Sequence, residues 1–400
     1  MTSYPEPFAL LEDLLGRREE MIELLRRLTE AESPSLAPET HDGAACMLER
    51  ELAALGFHVT RLRGRSGSGQ VWARPARRVR GRPIQLLLGH LDTVWPVGTL
   101  AEMPFVVDGD TVRGPGVFDM KGGLAMLLLA LGALRRQGVD PPLTPVVFVN
   151  SDEEIGSHES RRRILRLARR VRRAWVLEPA LGPDGSLKTA RKGVGRFTIT
   201  IYGRAAHAGL DPEAGASAIL ELSHVIRHLF ELNDPRRGVT VNVGTVDGGL
   251  RPNVVAPESR AVADVRVCTE ADARQVEQAI RGLANTTPGT RLEISGGFGR
   301  PPMERTPRNR ALWRLASAAA ARLGIELEEG LAGGGSDGST TSLYTATLDG
   351  LGPVGAGAHA TDECLFLGAT LQRAALLALL LAAPDVAEAD VHARAETQEA

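Results

Sequence analysis

The sequence predicts an α/β protein with a mixed, largely parallel sheet flanked by helices, into which a smaller α+β domain is inserted. Apolar strand patterns alternate with helix patterns as far as residue 187, and the alternation resumes after Pro301 and Pro302. The segment in between has the order β-α-β-β-α-β, which is that of a ferredoxin-like unit. The chain of 400 residues is long enough for two or three such domains.

The first half of the chain begins with helices and continues as alternating strands and helices. Apolar residues at three-four spacing predict helices over residues 8–29 and 39–55, and Gly56 ends the second. Short β-rich runs follow at 57–61, 71–73 and 84–89. Helices are then predicted at 122–136 and 158–170, and strands at 144–150 and 174–177.

The inserted segment and the last part of the chain are predicted in the same way. In the insert, strands fall at 196–203, 239–246, 259–267 and 290–295, and helices at 216–233 and 271–284. Afterwards come a helix at 309–323, a strand at 325–328, a strand at 350–354, a helix at 367–383 and a frayed tail. The pattern therefore predicts a discontinuous main domain, residues 1–190 with 304–400, and an inserted domain, residues 191–303.

The amino-acid composition limits the classes of binding partner and the cellular compartment that we expect. The 47 basic and 49 acidic residues give a formal charge of −2, which disfavours nucleic acid or an anionic membrane as a partner. Three separated cysteines suit neither a disulfide framework nor a thiolate zinc site. The longest apolar runs, at 124–131 and 374–383, are shorter than a membrane span. We therefore expect a cytoplasmic protein.

Acidic residues and histidines follow the carboxyl ends of the proposed core strands. The segments that carry them are GHLDTV (His90, Asp92), GPGVFDMKGG (Asp119), SDEEIGS (Glu153, Glu154), VLEPA (Glu178) and GAHATDE (His359). Ligand sites in open α/β sheets lie at this edge, so we expect the five segments to meet. Each residue also has an ordinary structural interpretation; Asp119, for example, precedes a helix that it would cap.

Two imidazoles with several carboxylates and no thiolate favour zinc or another divalent transition metal over calcium or magnesium. There are more acidic ligands than one ion requires. We therefore expect two divalent metal ions, with Zn²⁺ as the first candidate and Co²⁺ or Mn²⁺ as alternatives.

Other motifs indicate chemistry less strongly. GLGPVG at 350–355 matches a dinucleotide-binding fingerprint, but it contains Pro353 and lacks a following helix pattern. GGSDG at 334–338 matches a nucleophile-elbow pattern and leaves a serine hydrolase using Ser336 as an alternative, although no clear strand precedes it. His224 and His228 lack the glutamate of a zincin motif.

Over about residues 20 to 385, the sequence resembles the co-catalytic dinuclear zinc peptidases and deacylases. This family includes glutamate carboxypeptidase, acetylornithine deacetylase, succinyl-diaminopimelate desuccinylase and aminoacylase, and the glutamate carboxypeptidase branch looks most similar. The motifs above occur in family order together with GRAAHAG, RPNVV, ADVR and GGGSDGS. The resemblance implies a zinc-exopeptidase fold and hydrolysis of a small peptide or N-acyl amino acid. It also implies that residues 1–190 with 304–400 form the catalytic, metal-binding domain and that residues 191–303 form a lid and dimerisation domain.

The resemblance also implies roles for individual residues. His90 and Glu178 would hold one metal ion and Glu154 and His359 the other, with Asp119 bridging them. Asp92 would orient His90, Glu153 would be the general base, and His207 would stabilise the oxyanion in the active site of a partner subunit. Asn253 and Arg266 would hold the substrate, the arginine binding its carboxylate. A non-catalytic relative acting as a binding or scaffold protein stays as a further alternative, although the base Glu153 is present.

Overall fold

The computed structural model describes residues 4–64 and 69–385. The helices are α1 (Pro7–Leu15), α2 (Arg18–Glu30), α3 (Asp42–Ala54), α4 (Gly122–Arg136), α5 (Arg161–Ala168), α6 (Ala218–Glu231), α7 (Glu270–Arg281), α8 (Pro307–Ala321), α9 (Asp337–Thr341) and α10 (Leu367–Ala382). The strands are β1 (Phe57–Arg63), β2 (Gly69–Pro75), β3 (Ile84–His90), β4 (Val106–Asp108), β5 (Thr111–Arg113), β6 (Thr144–Asn150), β7 (Arg173–Val176), β8 (Leu187–Arg191), β9 (Gly193–Tyr202), β10 (Thr240–Gly248), β11 (Glu258–Val267), β12 (Arg291–Arg300), β13 (Glu329–Ala332), β14 (Ala346–Leu348), β15 (Gly355–Ala356) and β16 (Cys364–Phe366). The predicted tail lies outside the described residues.

The main sheet is mixed and has six strands in the order β1-β2-β6-β3-β7-β14. The pairs β6/β3, β3/β7 and β7/β14 are parallel, whereas β1/β2 and β2/β6 are antiparallel. All seven residues of β6 are buried, as expected of a strand covered by helices on both faces. The predicted fold class, a largely parallel sheet flanked by helices, is confirmed.

Two apolar helices anchor the core beside this sheet. Of α4, the residues from Gly122 to Leu134 are buried, and α10 is buried along nearly all its length. By length and composition, residues 117–136 would suffice to cross a membrane, but 94% of the apolar window lies inside the protein. An all-round apolar helix of this kind is typical of the core of a large domain.

The chain divides into two compact units, residues 1–189 with 305–331 and 336–400, and residues 190–304 with 332–335. In the second unit, β9, α6, β10, β11, α7 and β12 follow one another, and the sheet order is β10-β11-β9-β12 with antiparallel pairs. Alternate residues of β9 are buried, among them Phe197, Ile199 and Ile201, and they share a core with α6 and α7. Its action as a lid or dimerisation surface stays a prediction.

Three predicted elements differ from the structure. The helix over 8–29 is two helices, because Gly16, a poor helix former, caps α1. The strand predicted at 325–328 is wrong: Ile325 and Leu327 pack against the core from a loop, and β13 begins at Glu329. The strand predicted at 350–354 is also a loop, since Gly350 has φ 74° and Pro353 carries no amide hydrogen; the sheet strand is β14.

Candidate functional site

The metal-ligand candidates of the first unit meet at the carboxyl end of the parallel strands. His90 is the last residue of β3 and is paired in register with Asn150, the last residue of β6. Glu153 and Glu154 follow β6, and Glu178 follows β7. Parallel strands end at one edge of a sheet, which explains why segments distant in sequence deliver their side chains to one place.

Asp119 lies between the two histidines. Its Oδ1 is 3.3 Å from His90 Nε2, and its Oδ2 is 3.5 Å from His359 Nε2. The residue precedes α4 in an irregular turn with non-helical backbone angles, and it does not cap α4, which begins at Gly122. One carboxylate oxygen therefore faces each imidazole, an arrangement that suits a bridging ligand.

Each histidine has a second carboxylate beside it. Glu178 Oε1 is 3.5 Å from His90 Nε2, and Glu154 Oε2 is 3.1 Å from His359 Nε2. Ligand atoms of His90, Asp119 and Glu154 lie within 4.8 Å of one another, as do those of His90, Glu153 and Glu178. The site thus offers two overlapping groups of nitrogen and oxygen ligands.

Two atoms of the site lack the partners that buried polar atoms normally have. His90 Nε2 and Asp119 Oδ1 are buried and form no hydrogen bond. Buried polar groups are almost always satisfied, so two such atoms that face one another are suited to share a cation as their partner. Imidazole nitrogen and carboxylate oxygen are ligands that zinc and related divalent ions accept. The residues present therefore fit a metal pair.

The electrostatics of the cluster favour positive charge. Burial disfavours the charged form of His90, but Asp119, Asp92 and Glu178 outweigh it and raise its pKa well above the usual value. Hydrogen bonding to Asp119 and Glu154 raises the pKa of His359 to about 10. Carboxylates gathered this closely need a cation to balance them.

Asp92 connects the first histidine to the Glu153–Glu154 segment. His90 Nδ1 lies 2.9 Å from the backbone carbonyl of Asp92 and 3.5 Å from its carboxylate. The two carboxylate oxygens accept hydrogen bonds from the backbone N–H groups of Glu153 and Glu154, each at 3.2 Å. Ser35 donates its hydroxyl to the same carboxylate at 2.7 Å. Asp92 thus orients the imidazole chiefly through its backbone, and its side chain fixes the neighbouring loop.

The sequence motifs did not reveal Glu363, which fixes the turn that carries Asp119. Its carboxylate accepts the backbone N–H groups of Gly116, Phe118 and Asp119 at 2.9 Å and the indole N–H of Trp95 at 2.8 Å. The residue is 1% exposed, and burial raises its pKa. The sequence feature that could have identified Glu363 is its position in the GAHATDE segment, close to His359.

A second unpredicted contact involves Asp337 of α9. Its Oδ1 accepts the hydroxyl of Ser157 at 2.5 Å, and its Oδ2 accepts the side-chain amide of Asn150 at 2.7 Å. Asn150 also donates to Ser160 at 3.0 Å. This buried network braces the loop that carries Glu153 and Glu154.

The structure does not favour a nucleophilic role for Ser336. The residue is completely buried at the N-terminus of α9, where its hydroxyl accepts the N–H of Gly338. That hydroxyl donates to Asp349 at 2.6 Å, whereas His359 contacts Asp119 and Glu154. In a Ser-His-Asp triad the serine hydroxyl donates to the histidine, and Ser336 does not contact His359 in this way. Ser336 is a helix cap.

The remaining predicted residues belong to the second unit. His207 pairs with Val254 in an isolated bridge, and Ala208 donates its N–H to the carbonyl of Asn253, so His207 and Asn253 lie on adjacent segments. His207 Nδ1 accepts the N–H groups of Gly209 and Leu210 at 3.1 Å. In the neutral ring the proton is therefore on Nε2, which is left as a donor on an exposed side chain.

Arg266 lies on β11 and already contacts a carboxylate. Its Nε is 2.7 Å from Asp264 Oδ1, and its second terminal nitrogen is 3.0 Å from Oδ2. The other terminal nitrogen is 3.4 Å from the carbonyl of Gly333. The Asp264 pair holds one side of the guanidinium fork, so a substrate carboxylate would have to use the other side.

Known proteins resemble this chain over most of its length. The profile of Peptidase family M20/M25/M40 matches residues 86–383. Carboxypeptidase G2 of Pseudomonas sp. (strain RS-16) is 31% identical over 348 residues, which cover 85% of this chain and 83% of that protein. Succinyl-diaminopimelate desuccinylase of Delftia acidovorans is 27% identical over 350 residues, covering 82% and 89% of the two chains.

Solved structures show the same fold. The aminopeptidase PepT of Bacillus cereus superposes with a TM-score of 0.74 at 20% identity and covers 92% of this chain and 99% of its own. The Bacillus subtilis YXEP protein, a dinuclear metal binding peptidase, superposes with a TM-score of 0.68 at 18% identity, covering 93% and 98%.

Proposed function

The chain belongs to Peptidase family M20/M25/M40, and from this premise we propose a glutamate carboxypeptidase-like exopeptidase or deacylase that acts on a substrate with a free carboxylate. Family membership supports the coarser activity, metal-dependent hydrolysis of a peptide or acyl amino acid. The observation that carries the proposal is the position of Asp119 between His90 and His359.

His90 and Glu178 are proposed to hold one divalent ion and His359 and Glu154 the other, with Asp119 shared. Zinc is the first candidate because it accepts this mixture of nitrogen and oxygen ligands, and Co²⁺ or Mn²⁺ are the alternatives. When bound, such a pair polarises the amide carbonyl and lowers the pKa of a water molecule.

Glu153 is the proposed general base. It is 8% exposed, and a carboxylate oxygen lies within 4.8 Å of ligand atoms of both His90 and Glu178. Its carboxylate would accept the proton of the attacking water and pass it to the departing nitrogen. The Asp92 carboxylate, through the backbone N–H groups, holds Glu153 and Glu154 in place for these tasks.

Three residues of the second unit are proposed to hold the substrate. His207 would donate a hydrogen bond from its Nε2–H to the oxygen of the amide carbonyl as that oxygen gains charge, a role that its tautomer supports. Asn253 would hold the substrate, and Arg266 would bind its carboxylate. His207 is proposed to act in the active site of a partner subunit, so we also propose a homodimer formed through the second unit, in the cytoplasm.

A hydrolysis panel tests the function. Dipeptides and N-acyl amino acids should be hydrolysed by protein loaded with Zn²⁺, Co²⁺ or Mn²⁺, and a chelator should abolish the activity. A reagent for active serines should have no effect. A chelator-resistant, serine-reagent-sensitive hydrolysis would support Ser336 instead. Metal binding without hydrolysis of any substrate would indicate a binding protein.

A further inference from the structure

A cavity of about 340 Å³ lies beside the proposed metal centre in the first unit. Its walls come from three segments: residues 34–37 after α2, residues in the stretch 93–97 after β3, and Glu154 with Ile155. Glu154 therefore belongs both to the cavity wall and to the group of side chains around His359. The cavity therefore borders the proposed metal centre at Glu154.

The walls of this cavity are mostly apolar and open to solvent. Leu36, Val94, Val97 and Ile155 are 84%, 41%, 58% and 40% exposed. Single exposed apolar residues are ordinary, but a group of them around one concave surface is typical of a binding site. These side chains would lose their contact with water if an apolar group occupied the cavity.

The residues that line the cavity disfavour an anionic group of the substrate there, in addition to the carboxylate that Arg266 is proposed to bind. No lysine, arginine or histidine is among the described residues that line the cavity. The hydroxyl of Ser35 is already donated to Asp92. A carboxylate placed against these apolar walls would give up its water without gaining a cationic side chain as a partner, which is costly.

We infer that this cavity is a specificity subsite for an uncharged apolar group of the substrate, on one side of the scissile amide. The inference rests on the proposed function and deepens it by naming the substrate class. A cavity of about 150 Å³ holds a benzene molecule, so a cavity of this size accepts a phenyl ring or a medium-length aliphatic chain. The substrate is then an N-acyl amino acid or dipeptide with a bulky apolar group.

Two substrate series test the subsite. The first varies the acyl group on glycine (acetyl, hexanoyl, benzoyl, succinyl), and the second varies the amino acid of an N-acetyl compound (glycine, leucine, phenylalanine, glutamate). The cavity lies on one side of the scissile amide, so one of the two series should respond to it. In that series kcat/KM should rise with the size of the apolar group and fall for the anionic compound. Val97→Asp should reduce the preference for the large apolar group over the smallest by about 10- to 200-fold, the range expected when apolar contacts in a pocket are lost.

Val79→Asp is the matched control. Val79 is 56% exposed, close to the 58% of Val97, and is not among the residues of this cavity. Its substitution should leave the preference unchanged. Hydrolysis in which the anionic members are the best substrates, or in which Val97→Asp leaves the size preference intact, would overturn the inference without touching the proposed function.

If no compound is hydrolysed, the proposed function fails. The inference about the cavity is then tested by the binding of two ligands, measured as a shift in Tm. N-hexanoylglycine should raise the Tm of the zinc-loaded protein more than N-succinylglycine does, and Val97→Asp should remove that difference. Equal shifts for the two compounds, or no shift with either, would show that the cavity is not an apolar subsite.

Discussion

The hydroxyl of Ser157 donates to the carboxylate of Asp337 at 2.5 Å, across a sequence separation of 180 residues. Through this bond and the amide of Asn150, α9 holds the loop that carries Glu153 and Glu154. Asp337→Asn replaces one acceptor oxygen by a donor and leaves a buried donor without its partner. We expect a lower Tm and roughly 10- to 100-fold weaker metal binding, as for other residues that support metal ligands. Unchanged metal affinity in the folded variant would limit Asp337 to a purely structural role.

Glu153→Gln should keep the fold and the metal content and lose most of the activity. The amide cannot accept the proton of the attacking water, and removal of such a group commonly costs about 10² to 10⁴ in rate. The measurement is kcat of the metal-loaded variant, with metal analysis and Tm as controls. Near wild-type kcat would assign the base to another residue.

Loss of Asp119 should affect both proposed metal sites. Zinc at about 100 times its Kd should stabilise the wild-type protein by about 2.7 kcal/mol, seen as a rise in Tm. Asp119→Ala should lose most of this rise and bind fewer than two ions per chain. Asp108→Ala, which removes an exposed acid of β4, is the control and should behave as wild type. Two tightly bound ions in Asp119→Ala would contradict the shared ligand.

Mixing two inactive variants tests whether His207 acts in the active site of the partner subunit. His207→Ala and Glu153→Gln should each be almost inactive as homodimers. In a heterodimer, one of the two sites combines an intact Glu153 with an intact partner His207, so mixing should restore activity. Tagged chains verify subunit exchange independently. Verified heterodimers that stay inactive would mean that His207 serves its own subunit or has no part in the reaction.

Glu221 should make the stability of the second unit depend on pH. The side chain is completely buried in α6 and accepts the N–H groups of Thr286 and Thr287 and the hydroxyl of Thr286. Burial alone would raise the pKa of Glu221, but these hydrogen bonds outweigh it and hold the pKa below its usual value.

The depressed pKa gives the sign of the effect. The carboxylate stabilises the fold above the unfolded pKa, and this contribution is lost as the pH falls through the folded pKa. Glu221→Gln should therefore cost about 1 to 3 kcal/mol at neutral pH. Thermal unfolding between pH 3 and pH 7 should show the difference between wild type and variant shrinking toward acid. A constant difference across this range would contradict the assignment.

The sequence predicted those parts of the fold and site that depend on local pattern. The helix over 122–136 and the strand over 144–150 were predicted at their observed bounds, because each is a long apolar run with clear ends. The sequence also predicted that residues at the ends of β3, β6 and β7 lie close together, since a parallel sheet gathers them at one edge, and their roles as ligands stay a prediction.

The contacts that support the site could not be predicted from the sequence pattern. Ser35, Glu363 and Asp337 act through hydrogen bonds to residues 57 to 247 positions away, and no periodicity records such pairs. The three-residue strand β14 was missed for a similar reason, because its parallel pairing with β7 depends on the tertiary fold and not on a local signal.

The spread of the proposed ligands along the chain fixes the order in which the ribosome supplies them. His90, Asp119, Glu154 and Glu178 emerge before the second unit is made, and His359 emerges only after that unit and α8 are complete. The residues proposed to bind the first ion are therefore synthesised early, whereas the imidazole proposed for the second ion is synthesised late. A chain interrupted within the second unit would therefore lack His359 and could not complete the proposed set of ligands.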